Sequence, residues 1–87
     1  MVSTKINLAA PAGLHARLAG ELVKLVKEYA GSEVQIATAQ RSVNAASILS
    51  LLSLGAKCGT ELEVRVEGGR EEEAMVSIAH FLETATI

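Results

Sequence analysis

The spacing of apolar residues changes once near the start of this chain, and that change decides the fold. Residues 2–31 read VSTKINLAAPAGLHARLAGELVKLVKEYAG. Apolar and polar residues alternate over 2–8, which predicts a half-buried strand, and the Pro-Ala-Gly triplet at 11–13 ends it. From about Ala16 apolar residues recur every three or four positions, which predicts a helix that Gly31 ends. The chain thus begins with a strand, a turn and a helix.

The rest of the chain repeats these two patterns. Alternation predicts three more strands, over residues 34–38, 41–43 and 62–66. Helical spacing predicts a second helix, with Asn44 as its N-cap and Leu54 at its end, and a third that begins with acidic residues at Glu71. The order is therefore β-α-β-β-α-β-α. Since each strand has one apolar face, we predict an α+β fold in which three helices cover one face of a four-stranded antiparallel sheet.

Size and composition restrict the class of function. The 87 residues predict a single domain over residues 1–87, with a formal net charge of -2, one Phe, one Tyr and no Trp. Such a chain has neither the basic surface nor the aromatic residues that favour nucleic acid binding. We expect no membrane insertion, because no segment approaches the roughly 20 apolar residues of a membrane helix. The lone Cys58 cannot form an internal disulfide, which suggests a cytoplasmic protein.

The residues that could carry chemistry lie where the first strand turns into the first helix. His15 is predicted at the helix N-terminus, where unpaired backbone N–H groups and the helix dipole attract anions. Arg17 offers a charged donor to a phosphate oxygen, and a neutral imidazole is a competent nucleophile. These parts suit a phosphoryl group that is accepted and passed on. The spacing alone leaves equally open that His15 only caps the helix and that Arg17 is a solvated charge.

Other catalytic equipment is missing from the sequence. It has no Gly-rich nucleotide loop, no clustered carboxylates for magnesium and no metal-ligand spacing, so we expect no cofactor and no metal. We interpret His80, near the end of the last helix, as structural. The pattern favours a carrier rather than an enzyme, with its chemistry completed by partners.

Two motifs resemble those of the HPr family, the histidine-containing phosphocarriers of the phosphoenolpyruvate-dependent sugar phosphotransferase system. The segment from Gly13 to Arg17, GLHAR, resembles the active-site motif, and residues 43–55, VNAASILSLLSLG, are similar to the signature around a regulatory serine. The resemblance spans nearly the whole chain and implies an open-faced β-sandwich. It also implies that phosphorylated enzyme I passes a phosphoryl group to Nδ1 of His15, that Arg17 contacts the phosphate, and that enzyme IIA domains accept it.

Two positions depart from the family pattern. Leu18 stands where members usually have proline; its retained N–H preserves the anion site, so the departure bears on the transfer rate. Ala46 stands where lysine commonly precedes the regulatory serine. The resemblance makes Ser47 a candidate phosphoserine and HPr kinase/phosphorylase a candidate partner, since a dianion there would obstruct docking. An ordinary serine at a helix start is an equally open interpretation.

The second helix is too apolar for one buried stripe. Ile48, Leu49 and Leu52 are predicted to crowd its flank and form a docking surface for enzyme I and enzyme IIA. Lys24 and Lys27 on the first helix could meet acidic partner surfaces, although a solvated helix face is nearly as good an interpretation. We expect a monomer.

One alternative function belongs to a different class. The chain could be a regulatory paralogue, either a nitrogen-type phosphocarrier or a catabolite-repression protein, that acts mainly through protein–protein interaction. The presence of His15 argues against a form that works through Ser47 alone.

Overall fold

The computed structural model describes residues 1–86 of the chain. Four strands and three helices follow one another in the predicted order. Their bounds are β1 Val2–Asn7, α1 Ala16–Lys27, β2 Glu33–Ala37, β3 Ser42–Asn44, α2 Ile48–Leu52, β4 Glu61–Glu67 and α3 Glu71–Glu83.

The strands form one antiparallel sheet in the order β1-β4-β2-β3. In the middle of β4, Val64 lies opposite Thr4 of β1 and Ile36 of β2. The alternation along β4 fixes which face is covered, because Leu62, Val64 and Val66 are fully buried while the residues between them are partly exposed. The α+β prediction of an open-faced sheet is thereby confirmed.

Side chains from all three helices complete the core on that covered face. Leu18 and Leu22 of α1, Leu51 of α2, and Ile78 and Leu82 of α3 are each fully buried. The opposite face of the sheet carries polar residues such as Lys5 and Gln35. The positions predicted for apolar helix stripes therefore largely pack as expected, because helical spacing aligns residues three and four apart.

The predicted bounds of α2 are wrong at both ends. Asn44 is not the N-cap: it is the last residue of β3, paired with Gln35, and its side-chain oxygen accepts the N–H of Ala46 at 2.8 Å. The same Asx geometry that favours helix caps here closes a turn after a strand. The helix has Ser47 as its N-cap and ends at Leu52, two residues before the predicted end.

Smaller differences concern strand ends and the last helix. β1 stops at Asn7, and the buried Leu8 donates its N–H to the Thr60 carbonyl at 3.0 Å in a loop contact. Met75 and Phe81, predicted as part of the buried stripe of α3, are only half-buried. Ala74 and Ala79 are buried beside Ile78 and Leu82.

Candidate functional site

The loop that carries His15 is fixed by its contact with a second loop. The Leu14 N–H donates to the Ala56 carbonyl at 2.9 Å. Gly13 has φ +74, and a Cβ placed on it would lie 2.6 Å from the Ala56 oxygen and 3.0 Å from Lys57 Cα. Any other residue would therefore be strained and would clash with backbone. Gly13 is needed to bring the chain into α1 at this point, and no pattern along the chain predicts its contact with the second loop.

His15 is the N-cap residue of α1. Its backbone is extended, with φ -94 and ψ 176, and its carbonyl accepts the Ala19 N–H at 2.9 Å, which begins the helix. Its Nδ1 accepts the Leu18 N–H at 3.4 Å. The ring is partly exposed. One imidazole nitrogen thus faces the free amides of a 12-residue helix while the ring remains open to solvent.

Arg17 lies one residue into α1 and points away from the core. Its side chain is 75% exposed, and its Nε lies 4.0 Å from Glu21 Oε2, one turn further along the helix. An exposed pair at this distance contributes little to stability and leaves the guanidinium free to move. Within residues 1–86 the ion-pair partner of Arg17 is Glu21.

Ser47 caps α2 as His15 caps α1. Its Oγ accepts the Ser50 N–H at 3.3 Å, and its backbone is extended, with φ -119 and ψ 118. The side chain is half-buried. The hydroxyl is therefore partly used by the helix, and modification of its oxygen would alter the start of α2.

The predicted docking residues of α2 are accessible to different degrees. Leu49 is 81% exposed and Ile48 is 42% exposed, whereas Leu52 is half-buried against the core. We call Ile48, Leu49 and Leu52 the α2 patch. A leucine exposed to this extent on a small domain has no packing role.

The α2 patch continues onto α1. Ile48 Cδ1 lies 4.0 Å from the position that a Cβ on Gly20 would take, so the two helices meet without a bulky side chain between them. A shallow depression at this junction is lined by Arg17, Lys24, Lys27 and Ile48, among others. The structure thus brings basic and apolar residues onto one surface that reaches the N-terminal turn of α1.

The residues that the structure describes hold neither a cluster of metal ligands nor a membrane-spanning helix. Within residues 1–86, no cluster of three or more His, Cys, Asp or Glu side chains is arranged to hold a metal ion. None of the helices described has the length and apolar character required to cross a membrane. Cys58 is an exposed free thiol whose Sγ lies 3.8 Å from the Ala9 carbonyl oxygen.

Comparison with known proteins gives consistent matches over nearly the whole chain. The family model described as "PTS HPr component phosphorylation site" matches residues 2–84. The phosphocarrier protein HPr of Xylella fastidiosa is 32% identical over 83 residues, which cover 95% of this chain and 92% of that protein.

Solved structures agree with the sequence matches. The crystal structure of HPr from Bacillus anthracis matches with a TM-score of 0.88 at 27% identity. The match covers 93% of this chain and 95% of the Bacillus anthracis chain. The catabolite repression protein Crh of Bacillus subtilis, described as a dimer with a swapped domain, has a TM-score of 0.78 at 31% identity over 100% of this chain and 99% of that one.

Proposed function

The chain belongs to the HPr family of the phosphotransferase system, and from that premise we propose a specific role for His15. His15 accepts a phosphoryl group from phosphorylated enzyme I and passes it to sugar-specific enzyme IIA domains during sugar uptake. The observation that carries the proposal is the contact of His15 Nδ1 with the first turn of α1. Negative charge that develops beside this turn meets free N–H groups and the positive end of the helix dipole.

Arg17 supplies the second source of positive charge. Its guanidinium leaves the weak pair with Glu21 and donates to the phosphoryl oxygens once the group is on the ring. The chain acts in this scheme as a covalent substrate of other phosphotransferases rather than as an enzyme. We place it in the cytoplasm, a reducing compartment that suits the free thiol of Cys58.

The α2 patch forms the centre of the docking surface for both partners in this proposal. The exposed Leu49 provides the apolar anchor, and Lys24 and Lys27 speed the encounter with acidic partner surfaces. What supports this arrangement is the continuity of the patch with the depression that Arg17 lines. A partner seated on the patch would bring its own reactive group close to His15.

Ser47 is the proposed point of regulation, by a kinase of the HPr kinase/phosphorylase type. Its hydroxyl lies beside the exposed Ile48 and Leu49, so a phosphate there would put a dianion at the edge of the apolar patch. The cost of desolvating that charge opposes docking. Phosphorylation of Ser47 would therefore reduce transfer to His15 without touching the ring.

A second candidate function is favoured by the likeness to Crh. A chain that is 31% identical to a catabolite repression protein over its full length could act mainly as a regulatory paralogue. Incubation of the phosphorylated protein with purified sugar-specific enzyme IIA domains separates the two. Transfer to at least one of them supports the carrier, and transfer to none supports the paralogue.

The decisive experiment for His15 uses purified enzyme I and phosphoenolpyruvate with intact-mass measurement at neutral pH. The wild-type chain should gain the mass of one acid-labile phosphoryl group. His15→Ala should gain none, whereas Ser47→Ala should gain the same group as wild type. Full labelling of His15→Ala would refute the proposal.

The docking surface is tested by matched charge substitutions on two exposed apolar residues. Leu49→Glu should slow labelling by enzyme I about tenfold or more, because a central apolar anchor becomes charged. Val76 of α3 is 63% exposed and lies outside the patch, so Val76→Glu should label at the wild-type rate. Equal effects of the two substitutions would show that the patch is not the contact surface.

A further inference from the structure

The backbone N–H of Leu18 contacts Nδ1 of His15, the nitrogen that accepts the phosphoryl group in the proposed function. It lies 3.4 Å from Nδ1 and is aimed at it. A backbone N–H can only donate, so the nitrogen that accepts from it must present a lone pair. In the neutral ring the proton then resides on Nε2, because the hydrogen bond at one nitrogen decides which tautomer is present.

Leu18 is well placed to hold the ring. It is the third residue of α1, so its N–H has no acceptor within the helix and needs one from the cap. Its side chain is fully buried in the hydrophobic core. The amide is therefore anchored by the core, while the imidazole that it contacts remains partly exposed.

We propose that the Leu18 amide is a positioning group of the phosphoryl-accepting site, an inference that rests on the proposed function. Before transfer it selects the tautomer whose lone pair is on Nδ1 and holds that nitrogen at the helix N-terminus. During transfer it releases the ring and donates to an oxygen of the incoming phosphoryl group. The 3.4 Å separation is at the long end for a hydrogen bond, so the contact orients the ring and is readily exchanged.

The transfer step balances without an added reagent. The Nδ1 lone pair forms the new nitrogen–phosphorus bond as the bond between phosphorus and the donor protein breaks, and the donor keeps that electron pair. The Nε2 proton stays on the ring through the step. A ring in the other tautomer would have to lose the Nδ1 proton first, so selection of the tautomer removes a proton transfer from the reaction.

The test compares two substitutions at Leu18 that differ in the N–H. Leu18→Pro and Leu18→Ala both lose the buried leucine side chain, but only the proline variant loses the amide donor. Proline is tolerated in the first turn of a helix, where its missing N–H breaks no helical bond. Nitrogen-15 NMR of the histidine rings, with each ring neutral, reports the two tautomers directly.

The wild-type and Leu18→Ala proteins should hold His15 mainly with the proton on Nε2. In Leu18→Pro the ratio of this form to the Nδ1-protonated form should fall by up to about fivefold, the factor associated with one hydrogen bond. His80 serves as an internal control and should not change. Equal ratios in the proline and alanine variants would overturn the inference.

A measurement on the unaltered chain removes any dependence on folding of the variants. When His15 is protonated, Nδ1 ceases to be an acceptor, so the Leu18 amide resonance should move more than that of its helix neighbour Arg17. A Leu18 amide that does not respond would contradict the contact. Both NMR measurements are made without a partner protein, so their results do not depend on labelling by enzyme I. Failure of wild-type labelling would overturn the proposed function and the role of the Leu18 amide in transfer. It would leave the tautomer assignment of His15 intact.

Discussion

The starts of α1 and α2 share one geometry and differ in chemistry. In each, an extended N-cap residue accepts the N–H of the residue three positions later: His15 Nδ1 from Leu18 at 3.4 Å, and Ser47 Oγ from Ser50 at 3.3 Å. An imidazole nitrogen is nucleophilic by itself, whereas a serine hydroxyl needs an adjacent base. The same capping position therefore places a nucleophilic nitrogen at the start of one helix and, at the start of the other, a hydroxyl that needs a base from elsewhere to react.

The surroundings of the two caps reinforce that difference. α1 has 12 residues and five of them are buried, so its first turn is held firmly against the core. α2 has five residues, of which only Leu51 is buried, and its outer side is the apolar patch. In the proposed function, the well-anchored α1 therefore holds the reacting group, and the short, apolar α2 provides the docking surface.

The start of α3 is stabilised without a capping side chain. The Arg70 side chain at the N-cap of α3 makes no capping bond, and the first turn carries three glutamates. Glu71 instead accepts the Gly68 N–H at 2.8 Å, and the Met1 ammonium lies 3.4 Å from its Oε2. The three glutamates suit the positive end of the helix dipole, and their negative charge disfavours an anion at this helix start.

The largest expected effect on the transfer rate comes from removing the charge of Arg17, beside the α1 cap. Arg17→Ala should slow phosphoryl transfer from enzyme I by about ten- to a hundredfold, the range for loss of one charged hydrogen bond. Arg17→Lys should recover part of that rate, since it keeps the charge but not the bidentate geometry. Initial rates of labelling measure the effect. A wild-type rate in Arg17→Ala would show that the helix end acts alone.

A smaller effect is expected from charge at the α2 cap. Ser47→Asp and Ser47→Asn both retain a side chain that can cap the helix, so they differ mainly in charge. The aspartate variant should be labelled more slowly, on the order of tenfold, because its carboxylate lies beside the α2 patch, the proposed docking surface. The asparagine variant should match wild type. Similar labelling rates for the two variants would show that charge at position 47 does not affect docking.

Loss of the cap itself should affect stability modestly at either helix. His15→Ala and Ser47→Ala should each lower the unfolding free energy by about 1 kcal/mol in urea denaturation. His15→Asn should restore the stability of α1 without restoring phosphoryl acceptance. That result would separate the capping role of His15 from its chemical role, and recovery of labelling by His15→Asn would contradict the account.

The smallest expected effect is a pH-dependent change in stability at the start of α3. The Gly68 N–H holds the pKa of Glu71 below its ordinary value, and the Met1 ammonium adds to this. The folded pKa is below the unfolded one, so the stabilisation is present above the ordinary glutamate pKa and is lost as the pH falls through the folded value. Wild type should therefore be more stable than Glu71→Gln at neutral pH, and the difference should disappear in acid.

Glu72→Gln provides the control for that titration. It removes a charge from the same helical turn but leaves the bond between Gly68 and Glu71 intact. Its stability relative to wild type should change less between neutral pH and acid than that of Glu71→Gln. Thermal unfolding over a pH series measures both, and equal pH dependence would assign the effect to the dipole rather than to the bond.

Sequence patterns predicted the parts of the fold that repeat over many residues. The alternation in 62–66 and the helical spacing after Ala16 are long enough to be unambiguous, and both elements begin close to where they were expected. The predicted end of α1 at Gly31 is wrong, because the helix ends at Lys27. The second helix was misplaced because Asn44 suits a helix cap and an Asx turn equally well, and only the strand pairing with Gln35 decides between them.

The candidate site was predicted in part for a similar reason. A histidine between a Gly turn and a helical pattern indicates a cap, so the location of His15 followed from neighbouring residues. The contact of Gly13 with Ala56 and Lys57 joins distant segments, and the pairing of Arg17 with Glu21 depends on rotamers. Neither can be inferred from spacing along the chain.

The central claim is that the α1 cap, and not the α2 cap, receives the phosphoryl group from enzyme I. Trypsin should place the two caps in separate peptides, because cleavage follows Lys and Arg: residues 6–17 contain His15 and residues 42–57 contain Ser47. After labelling with enzyme I and phosphoenolpyruvate, mass spectrometry at neutral pH should find the phosphoryl group on 6–17 alone. A group on 42–57, with 6–17 unmodified, would contradict the account.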